Sequence, residues 1–176
     1  MRAIAEKIEY SPTVIYQHFK DKDELILDLC HEDFGQLAEH FQSTLAAADS
    51  IERLRQCGLD YARFALAYPN HYRLMFMMPK PVKGDEEGRQ ERQGNPETDA
   101  YAFLRALVES IAAEGKLRDG EAGVDLVAQT LWAGLHGVIA LELAFSGDGW
   151  LRWQPFDDRI NAMLDSLTVG LFKEKP

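Results

Sequence analysis

Cysteine is scarce here. Only Cys30 and Cys57 occur in 176 residues, too far apart for a C-x-x-C device and too few for a disulfide framework, so a reducing cytoplasm is the expected location. No alternating apolar run bounded by Asn-Gly or Asp-Gly is found, which argues against a sheet. Uninterrupted apolar runs of 18 residues are missing too, and no membrane association is expected. Catalytic signatures are absent: G-x-S-x-G, Walker and G-x-G-x-x-G patterns do not occur, and S-G-D-G-W from Ser146 reads as a turn. His31, His40 and His71 lack metal-ligand spacing, so neither an enzyme nor a cofactor nor a metal is expected. Positive charge is also short. Lys and Arg total 19 against 29 Asp and Glu, net −10, which excludes polyanion binding by the whole surface. Residues 1–30 carry four basic and six acidic side chains, hence 4 − 6 = −2. Any nucleic-acid contact must be local.

What is present is a globular composition, with 46% hydrophobic and 27% charged residues. The length suits one domain with a full core, or a small head on a larger body. Apolar residues recur at steps of three and four, so the chain reads as all-α. Arg2 to Ile8 forms one short helix. Ser11 and Pro12 start a second, with a capping hydroxyl followed by proline at the first helical position, and it runs to about Phe19. Asp21 caps a long third helix with Glu24 three residues on, and Leu25, Leu29, Phe34, Leu37, Phe41 and Leu45 mark its expected buried stripe.

A fourth helix spans about Ser50 to Tyr68, with Ile51, Leu54, Gly58, Tyr61, Ala62 and Ala65 on one face, and Pro69 stops it. A short, very apolar turn, H-Y-R-L-M-F-M-M, follows Asn70. Between Pro79 and Pro96 the polar K-P-V-K-G-D-E-E-G-R-Q-E-R-Q-G-N-P is expected to be a mobile loop. Helices resume from Glu97 to Glu114, closed by Gly115, then from Glu121 to Phe145 and from Pro155 to Phe172. Phe156, Ile160, Met163, Leu164, Leu167 and Leu171 give the last one amphipathic spacing.

Two short helices joined by a tight turn, the second opened by Ser-Pro-Thr, read as a helix-turn-helix. The stretch I-A-E-K-I-E-Y-S-P-T-V-I-Y-Q-H-F-K-D-K-D-E-L resembles the DNA-binding signature of TetR-family transcriptional regulators, I-A-x-x-A-G-V-S-x-G-T-I-Y-x-x-F-x-x-K-x-x-L. Ile4, Ala5, Ser11, Ile15, Tyr16, Phe19, Lys22 and Leu25 fall on matching positions. The family's Ala-Gly turn is Ile8-Glu9 here, so Glu9 is expected to take a positive φ that glycine adopts more easily. The resemblance implies a recognition helix over Pro12 to Phe19. Pro12, Thr13 and Val14 would meet base edges, Tyr16, Gln17 and His18 would touch phosphates or adjoining bases, and Lys22 would add a point charge. Ile4, Ala5, Ile15 and Phe19 would form the head's core. Heads of this family pack on a preceding helix of some fifteen residues. An additional basic amphipathic segment before Met1, roughly 15–30 residues long, is therefore expected.

Further on, L-W-A-G-L-H-G-V-I-A-L-E-L from Leu131 to Leu143 resembles the Trp-x-x-x-His-Gly segment of one class of TetR-family C-terminal domains, and Y-P-N-H-Y-R-L-M-F resembles the helix junction upstream of it. This implies residues 1–26 as a DNA-binding head, its first helix missing, and residues 27–176 as an antiparallel helical body for ligand binding and dimerisation. Trp132 and His136 lie one turn apart and either face a ligand or, for the His, bond a carbonyl in the core. Glu142 is either a pocket acid or an interface residue. The Met75, Phe76, Met77, Met78 cluster is a pocket wall or simple core. Phe64, Met75, Phe103, Trp132 and His136 are the candidate ligand contacts, being large, polarizable or polar residues on apolar helix faces.

The implied protein is a cytoplasmic homodimer whose last two helices form a four-helix bundle with their symmetry mates. That sets two recognition helices ~34–36 Å apart on palindromic double-stranded operator DNA. A small apolar effector would release it. The rival reading is an all-α ligand-binding or protein-interaction dimer that does not bind DNA, with a small-molecule enzyme a distant third.

Overall fold

The computed structural model describes residues 1–79, 93–118, 123–149 and 151–173. Among them eight α-helices carry the fold and no strand occurs; Leu117 and Phe172 pair as an isolated antiparallel bridge. Most of the polar stretch after Pro79, residues 80–92, lies outside the described residues, as do Trp150 of the S-G-D-G-W turn and the Glu121 start expected for the penultimate helix.

The head comprises α1 (Arg2–Lys7) and α2 (Pro12–His18), packed on each other. Ser11 caps α2 by accepting from the Val14 amide at 3.4 Å, and Pro12 occupies the first turn. Between the helices Glu9 adopts φ 60°, the only non-glycine in the left-handed region among the described residues. Ala5 and Ile15 are buried and Phe19 is half-buried. Ile4 corrects the expected head core, because its side chain is 37% exposed.

Asp21 opens α3 (Lys22–Gln42), accepting from the amides of Asp23 and Glu24 at 2.9 and 3.0 Å. A 3-10 turn, Ser43–Ala46, follows it. The buried stripe of α3 is Leu27, Cys30, Asp33, Leu37, Ala38 and Phe41; Leu37 and Phe41 lie where expected, Leu25 and Phe34 are half-buried, and Leu29 and, in the 3-10 turn, Leu45 are 37% and 47% exposed. A period of 3.6 fixes the width of a stripe and leaves its phase to the neighbours.

Asp49 caps α4 (Ser50–Ala67), and Pro69 begins α5 (Pro69–Phe76). Asp99, not Glu97, starts α6 (Ala100–Ala113) by accepting from Tyr101 and Ala102, and Gly115 ends it at φ 72°. The long apolar α7 (Val124–Phe145) lies against α4 and α6, and α8 (Phe156–Leu171) packs along α7 and α4. By length and composition α7 would suffice to cross a bilayer, at a mean hydropathy of 1.4. Here Val127, Leu131, Leu135 and Ile139 instead face the protein core. That core joins Leu37 and Phe41 of α3 to Leu54, Tyr61 and Ala65 of α4, Tyr72 of α5, Val108 and Ile111 of α6, and Ile160 and Leu164 of α8.

Candidate functional site

In the head, the recognition candidates sit on one short element and the start of the next. Thr13, Tyr16, Gln17 and His18 of α2 and Lys22 of α3 are exposed, while Pro12 and Val14 are half-buried. Thr13, Tyr16 and Gln17 follow the i, i+3, i+4 spacing of a single helical face. Such a surface can donate and accept hydrogen bonds, and Lys22 supplies a charge beside it.

In the body, α3, α4, α5, α6 and α7 line a cavity of about 470 Å³, to which Leu164 of α8 and Gln93, Thr98 and Asp99 ahead of α6 also contribute. From α3 come Leu27, Cys30, His31 and Phe34, and from α4 come Cys57, Gly58 and Tyr61. Gly58 lets α8 approach, for a β-carbon there would lie 2.8 Å from Leu164 Cδ2. Phe76, Tyr101 and Trp132 supply ring faces; Phe34 and Phe76 meet edge to face at 5.4 Å, and Phe76 and Trp132 at 5.9 Å. Burial, and then the neighbouring Asp60, pushes the Cys57 thiol far above its ordinary value, so it lines the wall as a small apolar group.

Of the five ligand candidates, Met75 and Trp132 line this cavity. The other three do not reach it. Phe64 is buried against the rings of His40 and Tyr68, and Phe103 against Phe41. His136 stands behind the wall, its ring stacked on Tyr72 at 5.7 Å and its Nδ1 bonded to Tyr72 Oη rather than to a carbonyl. Glu142 pairs with Arg159 of α8, whose guanidinium also lies 4.9 Å over the Trp153 ring and donates to the Gln154 carbonyl. It therefore joins α7 to α8.

The sequence marks Tyr61 and Phe34 only as apolar-face positions, and neither they nor Tyr72 and Tyr101 are among the ligand candidates. Tyr61 Oη accepts from Trp132 Nε1 at 3.0 Å and lies 2.7 Å from Tyr72 Oη, which lies 2.6 Å from His136 Nδ1. Desolvation pushes the Tyr61 hydroxyl up to about 12, and raises that of Tyr72 further still with help from Tyr61. Both hydroxyls are neutral. Desolvation likewise lowers His136 below its ordinary 6.5. One signal was available: buried tyrosines on two adjoining helices need hydroxyl partners, and a tryptophan and a histidine one turn apart offer them.

The sequence matches two family profiles: "Bacterial regulatory proteins, tetR family" over residues 1–29, and "Tetracyclin repressor-like, C-terminal domain" over residues 54–167. No curated protein matches it. Among solved structures, a protein of unknown function from Rhodococcus sp. RHA1 superposes with a TM-score of 0.75 at 22% identity, covering 98% of this chain and 84% of that one. A proposed tetR family transcription regulator from Shewanella sp. PV-4 gives 0.70 at 16% identity, over 97% and 86% of the two chains. At such identities the likeness concerns the fold.

Proposed function

Because the chain belongs to the TetR family of transcriptional regulators, we propose that it is a cytoplasmic, ligand-responsive repressor, with residues 1–26 as its DNA-binding head and residues 27–176 as its effector-binding and dimerisation body. One observation carries this reading: α3 begins at Lys22, beside the recognition candidates, and the same helix walls the cavity with Leu27, Cys30, His31 and Phe34. A molecule filling the cavity would press on the stem of the head. Asp33 of α3 also bonds His71 of α5 at 2.7 Å, so a second helix of the cavity would move with the stem.

The contacts to DNA would come from Pro12, Thr13, Val14, Tyr16, Gln17, His18 and Lys22. The effector would be small and mostly apolar, since the walls are. A homodimer is supported by a stripe of exposed apolar or small residues along α7 and α8, among the described residues: Leu126, Ala133 and Leu141 on one helix, Ala162, Val169 and Gly170 on the other. Small residues admit close helix approach, and the isologous pairing of such a stripe would make a four-helix bundle. An effector shifts the balance only through unequal affinity for the DNA-bound and free arrangements, with couplings of ~1–3 kcal/mol being typical.

The test is a mobility-shift titration against palindromic operators selected from random duplexes, repeated with apolar compounds that raise the melting temperature of the protein. Retarded duplex that is released by such a compound is the expected result. Stabilising compounds with no duplex retained under any salt condition would favour instead a ligand-binding dimer that does not bind DNA.

A further inference from the structure

The apolar cavity meets polar side chains at His31, at Gln93, Thr98 and Asp99, and at Tyr61 and Trp132, and the Tyr61–Trp132 edge is the end of a chain of hydrogen bonds running out of the cavity. Trp132 and Tyr61 line the space, Tyr72 is buried behind them, and His136 lies beyond, half-buried. The indole N–H of Trp132 can only donate, so Tyr61 Oη receives a hydrogen at 3.0 Å whatever else happens. When Nδ1 of His136 carries no hydrogen, the remaining protons run one way, from Tyr61 to Tyr72 and from Tyr72 to His136. The indole and both hydroxyl hydrogens are then used, and Tyr61 Oη keeps one lone pair. With the other tautomer, Nδ1–H donates to Tyr72, Tyr72 donates to Tyr61, and the Tyr61 hydrogen has no protein partner in the chain. No net charge moves in this exchange; the imidazole hydrogen is on one nitrogen or the other.

The walls also restrict charge. Among the described lining residues there is no Lys or Arg, and His31 is the only one of these able to become positive. Asp99, at the edge, is committed to the amides of Tyr101, Ala102 and Gly94. An ionised ligand would lose its hydration with little in return. A carbonyl would satisfy only the chain that ends in a free Tyr61 hydrogen. A hydroxyl satisfies either direction, donating to the lone pair in one and accepting the hydrogen in the other.

We propose that the cavity takes an uncharged, ring-containing apolar molecule bearing a single hydroxyl, seated against the Tyr61–Trp132 edge, with Tyr72 and His136 as positioning residues that set whether Tyr61 accepts or donates. This rests on the reading of the cavity as an effector site. Phe34, Phe76, Tyr101 and Trp132 provide the faces for the ring, and Tyr61 reads the hydroxyl.

Three probes of one shape test it on the intact wild-type chain at pH 7: 2-naphthol, naphthalene and 2-naphthoate, by calorimetric titration. The naphthol should bind at least tenfold more tightly than either of the others. Tyr61→Phe should erase the preference over naphthalene and leave naphthalene itself unchanged. The ring nitrogen resonances of His136 should shift on adding naphthol and stay put on adding naphthalene, a readout that a merely structural histidine would not give. Equal affinity for the three probes, failure of all of them to bind, or a silent His136 would overturn the inference. A duplex still retained at saturating naphthol would overturn the repressor reading instead and leave the recognition chemistry standing.

Discussion

Tyr72 and His136 are joined twice, by a 2.6 Å bond from Oη to Nδ1 and by rings stacked 5.7 Å apart. The two contacts act on different properties: stacking excludes water from the imidazole, and the bond fixes its orientation. Because α5 supplies the tyrosine and α7 the histidine, the pair also clamps those two helices together.

The first expectation concerns titration. Desolvation lowers His136, so on acidification the unfolded chain takes up its proton near 6.5 before the folded one does. Stability is then complete above that value and declines as pH falls from 6.5 toward the depressed folded value. Ring resonances should show His136 half-protonated below pH 6.5, and His136→Gln should flatten the fall of the melting temperature in that window. A half-point at or above 6.5 would remove the desolvation argument.

Lys22→Ala should weaken operator binding on all sequences and flatten the logarithmic salt slope by about one unit. Thr13→Ala should relax base preference with a smaller change in slope. An unaltered affinity and slope in Lys22→Ala would mean that the head docks otherwise than proposed.

For assembly, two positions on α8 should behave oppositely. Leu164 is 2% exposed and touches the Gly58 face of α4, so Leu164→Glu buries an unpaired carboxylate and should unfold the subunit, at a cost of several kcal/mol. Val169 is 62% exposed, so Val169→Glu should keep the fold and lower only the sedimentation mass. On α7, a β-carbon at Gly137 meets nothing within 4 Å in the subunit. Gly137→Ala should therefore stabilise an isolated subunit by up to ~1 kcal/mol through helix propensity, while weakening a dimer packed across that face. A wild-type protein that sediments as a monomer at micromolar concentration would end the dimer proposal.

Gly58→Val should cost ~1–3 kcal/mol, because its side chain would collide with Leu164 Cδ2 and Leu135 Cδ1, 2.8 and 3.0 Å from a β-carbon. It should also reduce the cavity and weaken the binding of ring compounds. Chemical denaturation and the calorimetric titration described above check the two effects separately.

Local features were legible in the sequence because their causes are local. Ser11-Pro12 and Asp21 mark helix starts through hydrogen bonds that span three residues, and the Ile8-Glu9 departure from Ala-Gly pointed to the left-handed φ found at Glu9. The phase of the α3 stripe was not legible, since Leu29 and Leu27 satisfy helical periodicity equally and only the partners decide between them. The cavity was legible only as a tendency toward large side chains on apolar faces. Whether such a side chain meets a void or a neighbour depends on helices far off in sequence: Phe103 meets Phe41, whereas Trp132 meets open space and Tyr61. The chain from Trp132 to His136 passes through three helices, and no spacing within any one of them encodes it.

The proposed double use of α3 bears on how such a regulator can change over generations. If one rod both stems the reading head and walls the cavity, substitutions at Leu27, Cys30, His31 or Phe34 alter the inducer and the operator response together, and selection on either restrains them. The walls contributed by α4, α6 and α7 are free of that double duty. A lineage exchanging one inducer for another would vary at positions such as Cys57, Tyr101 and Leu131 while α3 stays nearly constant, so inducer preference can diversify around an operator response that is inherited unchanged.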